Sequence, residues 1–569
     1  MRLINTITGA FEEFIGRNVP PYAILSHVWE EEEVSFQDMS NQSYKSKKGY
    51  RKIEKTCKLA AQRDINHVWV DTCCIDKSSS AELTEAINSM YRWYQRSQIC
   101  FVYLSDLTAP ALLDTALQGC RWFTRGWTLQ ELIAPVDVDF YDQDWNKRGS
   151  KRDLVGSLSQ ITGINIAILC HVLPLSSITV AQRMSWAANR ITTRTEDMAY
   201  CLLGIFDINM PLLYGEEEKA FRRLQEEIIK SSADLSIFAW TYPPILRYSR
   251  SSKSPGFSGF LAKSPSAFHE GNWLEERLSL DWRELSISNG SIKTRVKILS
   301  EPIPGKRGSR YLLPLDCSRK PNQLLAVRLR KCGPNQFIRE DPWTLVECPK
   351  DLWATVRMER YLLFELPLSL QPTDSIFSDI SLLISRTRSH VLQIQLPDEL
   401  LIHDTGIWGP CWDAQDQLFF GSRDPTFDSG AIILLTSFIF TCGQREIEVD
   451  FECMLYAVGW SSLDASHLQC TVMIYKAHST ALKELESRIE AWDINRSHVI
   501  AQLIYYKIPK TSSAVFKIPE TTASAVVSFI PTVVSDSSIC QNRFWRLEFF
   551  CEVYEDKDLP EVQHSEWHE

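Results

Sequence analysis

What this chain lacks narrows it first. No uninterrupted apolar run reaches the roughly 18 residues that a membrane-crossing helix needs, so no span is expected. The opening residues, 1–16, lack a charged segment followed by a continuous apolar stretch, so no secretory leader is expected either. With only 23 Gly and 26 Pro in 569 residues, collagen-like and low-complexity chains are excluded. None of the 16 cysteines stand as C-x-x-C, which argues against a zinc ribbon or a thioredoxin-type pair. Without an export signal those thiols should be reduced. No G-x-x-x-x-G-K-[ST] loop marks a P-loop enzyme, and no G-x-S-x-G elbow marks an α/β-hydrolase. No fixed period marks a propeller. Positive charge is also short: 61 Lys and Arg against 71 Asp and Glu leave a net charge of −10. That is the wrong sign for a chain that grips nucleic acid. The expectation is a cytoplasmic protein with no membrane span and no nucleic-acid partner.

The length exceeds what one core supports. Domains usually hold about 100–200 residues, so two to four units are expected. Over residues 1–150 strand and helix signals alternate. Strands are expected at 22–27, 67–71, 99–104 and 136–141. Helices are expected over 49–63, where Tyr50, Ile53, Cys57 and Ala60 recur at helical spacing, and over 127–133. Between them Ser79 stands three residues before Glu82, a capping box opening a helix with Leu83, Ala86, Ile87, Met90 and Tyr94 on one face. This order implies an α/β domain around a parallel sheet. Ligands of such sheets bind beyond the carboxyl ends of the strands. Those ends carry Ser26 and His27, then Asp71 to Asp76, then Ser105 and Asp106. A helical extension is expected over 151–241, with helices at 195–206 and 216–230. The Ser/Pro-rich stretch 242–266 reads as a boundary. From 267 to 569 short β-type runs at 292–298, 324–329, 391–396, 431–440, 470–475 and 499–506 imply an all-β region of one or two sandwich-like domains.

Four segments go further: Tyr22-Ala-Ile-Leu-Ser-His-Val-Trp29, Trp69-Val-Asp-Thr-Cys-Cys-Ile-Asp76, Arg121-Trp-Phe-Thr-Arg-Gly-Trp-Thr-Leu-Gln-Glu-Leu-Ile-Ala-Pro135, and Thr192-Thr-Arg-Thr-Glu-Asp-Met-Ala-Tyr-Cys-Leu-Leu-Gly204. In order and wording they resemble the blocks of the fungal heterokaryon-incompatibility (HET) domain. Met210-Pro-Leu-Leu-Tyr-Gly-Glu-Glu-Glu-Lys-Ala-Phe221 is similar to the segment that follows it. The resemblance covers roughly the first 40% of the chain and implies self/non-self recognition and cell-death signalling. Self-association and protein partners are implied with it, the β-rich region sensing an unknown trigger. The domain also looks distantly like Toll/interleukin-receptor (TIR) domains, which share the strand–helix alternation of flavodoxin-like sheets. Some TIR domains cleave NAD with a glutamate four residues after a tryptophan. Trp127, Glu131 and Leu132 match that pattern, and Thr128 departs from it where Cys is usual.

The resemblance thus implies Glu131 as the catalytic carboxylate, NAD as substrate and no required cofactor. Breaking the nicotinamide–ribose bond creates an oxocarbenium-like centre, which a carboxylate stabilises. The other reading has Glu131 paired with Arg125 or Arg121. Trp127 would wall a pocket into which Glu131 points. Ser26, His27, Trp29 and Asp71 are the remaining candidates for holding the ligand. His27 is either an orienting group or a hydrogen-bonded core histidine. Trp29 either stacks on a base or covers the sheet edge. Asp71 is either part of a polar rim or a turn residue, and Asp76 reads as a turn residue. Cys73 and Cys74 read as packing, and no metal is expected. The basic run 45–58 reads as a solvated helix face, and Glu30 to Glu33 as a solvent-facing loop. A non-catalytic interaction module is the competing function.

Overall fold

A computed structural model of the chain describes residues 1–349 apart from short stretches, the longest being 243–255, and beyond 349 chiefly strands up to residue 555. The N-terminal sheet contains β1 (Arg2–Asn5), β2 (Phe11–Glu13), β3 (Ala23–His27), β4 (His67–Trp69), β5 (Ile99–Tyr103), β6 (Val138–Tyr141) and β7 (Lys147–Ser150), in the order β2-β1-β4-β3-β5-β6-β7. Strands β4, β3, β5 and β6 are parallel. Their fully buried residues, such as Ala23, Ile24, Leu25, Phe101 and Val102, explain why the sequence reads there as continuous apolar runs. At the edges β1, β2 and β7 pair antiparallel. The sheet is therefore mixed, which corrects the all-parallel reading. The connections 6–10 and 142–146 are of hairpin length, and only antiparallel neighbours can be joined so briefly. These edge strands are short and polar, so their apolar pattern is too thin to read.

The first half of the domain also carries α1 (Phe36–Ser40), α2 (Tyr50–Ala61), α3 (Asp71–Cys74), α4 (Ser80–Arg96), α5 (Leu113–Gln118) and α6 (Thr128–Ile133). Helix α4 begins where the spacing predicts: Ser79 Oγ accepts from Glu82 N at 3.3 Å. The carboxylate of Glu82 turns elsewhere. It accepts from Asp76 N at 2.8 Å and pairs with Arg2 at 2.9 Å, tying β1 to the turn before α4. Ala86, Ile87, Met90 and Tyr94 form its buried face. The extension is helical as read, with α7 (Val155–Thr162), α8 (Ile166–Leu169), α9 (Val180–Ser185), α10 (Asp197–Tyr200), α11 (Leu203–Phe206) and α12 (Lys219–Ser231). The single helix read over 195–206 is two, α10 and α11.

From residue 257 to 349 the chain forms a largely antiparallel sheet, joined by the strand Leu362–Pro367. Strands at Ser291–Val296, Gln323–Gly333, His390–Gln395, Ala431–Cys442 and Cys470–Lys476 fall where β-type runs are read. The run at 499–506 lies outside the described residues. One contiguous apolar cluster extends from Leu3 through Phe101 and Trp240 to Phe268, Leu313 and Phe337. Among the described residues no helix is long and apolar enough to cross a membrane.

Candidate functional site at the strand ends

The chain leaves β3, passes through α2 and enters β4 on one side. From β4 it crosses through α4 to β5 on the other side of β3. In the parallel core order β4-β3-β5-β6 the strand order reverses between β3 and β5, and in open parallel sheets ligands bind beyond the carboxyl ends of the strands at such a point. Ser26 and His27 close β3, and Asp71 follows β4.

Side chains alternate along a strand, so Ser26 and His27 serve opposite faces. On the face covered by α6, Ser26 Oγ donates to Glu131 Oε2 at 2.5 Å and accepts from Trp122 Nε1 at 2.8 Å. Both residues are buried. Burial, with Asp71 second, raises the Glu131 carboxyl to about 8 against the opposing pull of Ser26, Tyr94 and Arg190. Glu131 pairs with neither arginine named for it. Arg121 bonds Glu30 and Asp106, and Arg125 bonds Thr193. Trp127 stands at the N-cap position of α6 with no capping bond from its side chain, and its indole lies near enough to Asp197 to favour that carboxylate's ionised form. Trp127 thus faces the helical extension, while Glu131 is held by Ser26.

The other residues gather at the rim. His27 is buried, with Nε2 3.7 Å from Glu33 and Nδ1 4.0 Å from Asp71, too far for hydrogen bonds. Both ring nitrogens lack a hydrogen-bond partner. Trp29 Nε1 donates to Asp71 Oδ2 at 2.7 Å, while Asp71 Oδ1 is buried with no partner. Lys77 places its ammonium 3.6 Å from the centroid of the Trp29 ring. Beside these, Glu30 accepts from Ser105 Oγ at 2.8 Å and from Arg121 at 3.0 Å. Structure therefore joins Trp29, His27 and Asp71 at one place and Ser26 and Glu131 at another. Asp71 lies close enough to influence the Glu131 carboxyl.

Two readings of charge change in part, while Glu30 to Glu32, Lys45, Lys48 and Lys58 are exposed as read. Lys52, in the basic run, is buried rather than solvated, bonding Glu33 and the Val28 carbonyl at 3.2 Å and facing the Glu30 carboxylate at 3.6 Å as an ion pair. Lys47 likewise pairs with Asp38 at 2.6 Å. Glu33 is consequently drawn inward. Burial opposes its ionisation, but His27 and Lys52 outweigh that and hold its carboxyl down to about 2. The complementary Glu30–Glu33 and Lys45–Lys58 runs were the available signal for this pairing. Trp122 has no such signal, since only the fold brings it to Ser26. Asp76 accepts from Ser78 N at 3.0 Å, a turn. Cys73 and Cys74 are buried, and no metal-holding cluster occurs among the described residues.

Residues 22–119 match the family model described as heterokaryon incompatibility protein (HET). The chain carries a HET domain. The match holds Ser26, His27, Trp29 and Asp71 and ends before Trp127 and Glu131. Over 236 residues, 40% of its length, the chain is 48% identical to vegetative incompatibility protein HET-E-1 of Podospora anserina. That alignment spans 17% of the relative's length. Residues 219–273 match a second model, a domain of unknown function (DUF8212), which begins at α12 and runs into the β-rich region. No solved structure matches the chain.

Proposed function

We propose that this protein acts in vegetative incompatibility, its HET domain passing a cell-death signal on self-association and doing so by cleaving NAD at the strand ends. The observation that supports this reading is the pair of buried polar groups at the switch point that make no hydrogen bond, the His27 imidazole and Asp71 Oδ1, 4.0 Å apart. Buried polar groups without partners are rare, and a ligand would complete them. Glu131, reaching the reaction as a carboxylate, would stabilise the oxocarbenium-like centre. To do so it must leave Ser26 and lose its proton, so the described form is the resting one. The β-rich region would receive the trigger through a protein partner. The test is nicotinamide release from NAD by the full chain, forced to oligomerise through a fused dimeriser. Release that disappears in Glu131→Gln supports the reading. No release, or release equal in that variant, removes it.

The burial of Glu131 beneath Ser26 and Trp122 favours a second reading, a non-catalytic signalling module in which Glu131 is a structural acid. Glu131→Gln would then still kill cells on overexpression.

A further inference from the structure

We propose that the Trp29–Asp71 rim receives a planar cationic ring, the pyridinium end of NAD, and that Lys77 occupies the place when no such ring is bound. This rests on the NAD reading above and names which end of the molecule meets the rim. Trp29 is half exposed, at 50%. Its indole is nonetheless held in one orientation by the bond from Nε1 to Asp71. An indole face attracts cations through its quadrupole, and this one already carries the Lys77 ammonium. The lysine is a flexible side chain of the same charge that a pyridinium ring brings, so one can replace the other on the same face.

The surrounding charge selects the sign. Asp71 bonds the indole, and Glu30 and Glu33 stand at the same strand end, beside Ser105 and His27. The cations nearby, Lys52 and Arg121, are already engaged by Glu33, Glu30 and Asp106. With Glu30 and Glu33 already paired, the sign is carried by the indole face itself and by Asp71, which bonds the Trp29 indole rather than a lysine or arginine, and both favour a positive ring over a phosphate. Asp71 Oδ1 makes no hydrogen bond and lies 4.0 Å from His27 Nδ1, so it is an acceptor still open to the N–H of a carboxamide. A neutral aromatic base would gain the stacking but not the charge term.

The experiment uses the full chain with two probes of nearly one shape: 1-methylnicotinamide, methylated on the ring nitrogen and so a pyridinium cation, and nicotinamide, which is neutral. Binding is read by saturation-transfer NMR and calorimetric titration. The cation should bind at least about tenfold more tightly than the neutral probe. Lys77→Met should tighten the cation about threefold or more, Trp29→Ala should lose it, and Trp29→Phe should keep most of it. Circular dichroism checks that each variant is folded, as the half-exposed Trp29 allows. Equal affinity for both probes, indifference to Trp29→Ala, or no binding to Lys77→Met overturns the proposal. Glu131→Gln should keep the ring bound. Ring binding without nicotinamide release would therefore remove the cleavage reading and leave this site standing, and release without this binding pattern would do the reverse.

Discussion

Glu131 is a carboxyl that the fold has made reluctant to ionise. Its ordinary range lies near 4.5, and burial lifts it to about 8. The sign of the consequence follows from linkage. At pH below the unfolded value both states hold the proton and nothing is lost. As pH rises towards 8 the unfolded chain releases it while the folded chain keeps it, so stability falls through that window and stays lower above it. Glu131→Gln cannot titrate and retains a side chain of the same size. Its stability should match the wild type near pH 4 and exceed it at pH 8–9 by several kcal/mol, read from urea denaturation at each pH. Parallel pH profiles would mean that Glu131 is solvated in the resting protein. The four-residue offset from Trp127 was legible in the sequence. What lies opposite Glu131 was not, because Ser26 and Trp122 reach it only through the packing of α6 on β3. The alternation that separates Ser26 from His27 could have been read from β3 alone, and it divides a candidate set that looks continuous as a string.

At the scale of elements, legibility followed the length of the pattern. Helices α2 and α4 run long enough for their apolar periodicity to show, and Ser79 marks the start of α4. Strands β1, β2 and β7 and the α10–α11 break span too few residues for a period. Two substitutions test the elements themselves. Ser79→Ala removes the hydroxyl that accepts from Glu82 N and should cost about 1 kcal/mol, seen as a lower thermal midpoint. Gly204, on α11, lies against α4 so closely that a Cβ there would stand 2.0 Å from Tyr91 Cβ. Both atoms are fixed to backbone, so relief requires the helices to part. Gly204→Ala should destabilise by about 1–3 kcal/mol, and Tyr91→Gly in the same chain, which removes the opposing Cβ, should cost less there than it does in the wild type. Additive effects of the two changes would contradict this packing account.

The whole molecule raises the question of how a β-rich region could govern a HET domain. The sequence suggested a break at 242–266, because serine and proline interrupt the pattern there. Packing crosses that stretch. Trp240 Nε1 donates to the Phe260 carbonyl at 2.8 Å, and the Gln225 amide exchanges hydrogen bonds with Ala262 at 2.8 and 2.9 Å. Arg339, on the strand Gln336–Glu340, is fully buried. It stacks on the Trp240 ring at 4.0 Å and donates to the Phe238 and Trp240 carbonyls. A fragment ending at 241 would strip the cover from Phe238 and Trp240, each large buried side chain being worth about 1.5–3 kcal/mol. Such a fragment should melt well below one ending at 349, or aggregate, while the longer fragment melts in a single transition. Arg339→Met leaves two buried carbonyls without their donor and should cost about 2–4 kcal/mol in the longer fragment, with no effect on the shorter one, which lacks the residue. A movement of the β-rich sheet would then reach α12 and the HET domain through packed side chains rather than through a slack tether. Equal melting of the two fragments would mean that the regions fold independently, and any signal between them would have to pass by another route.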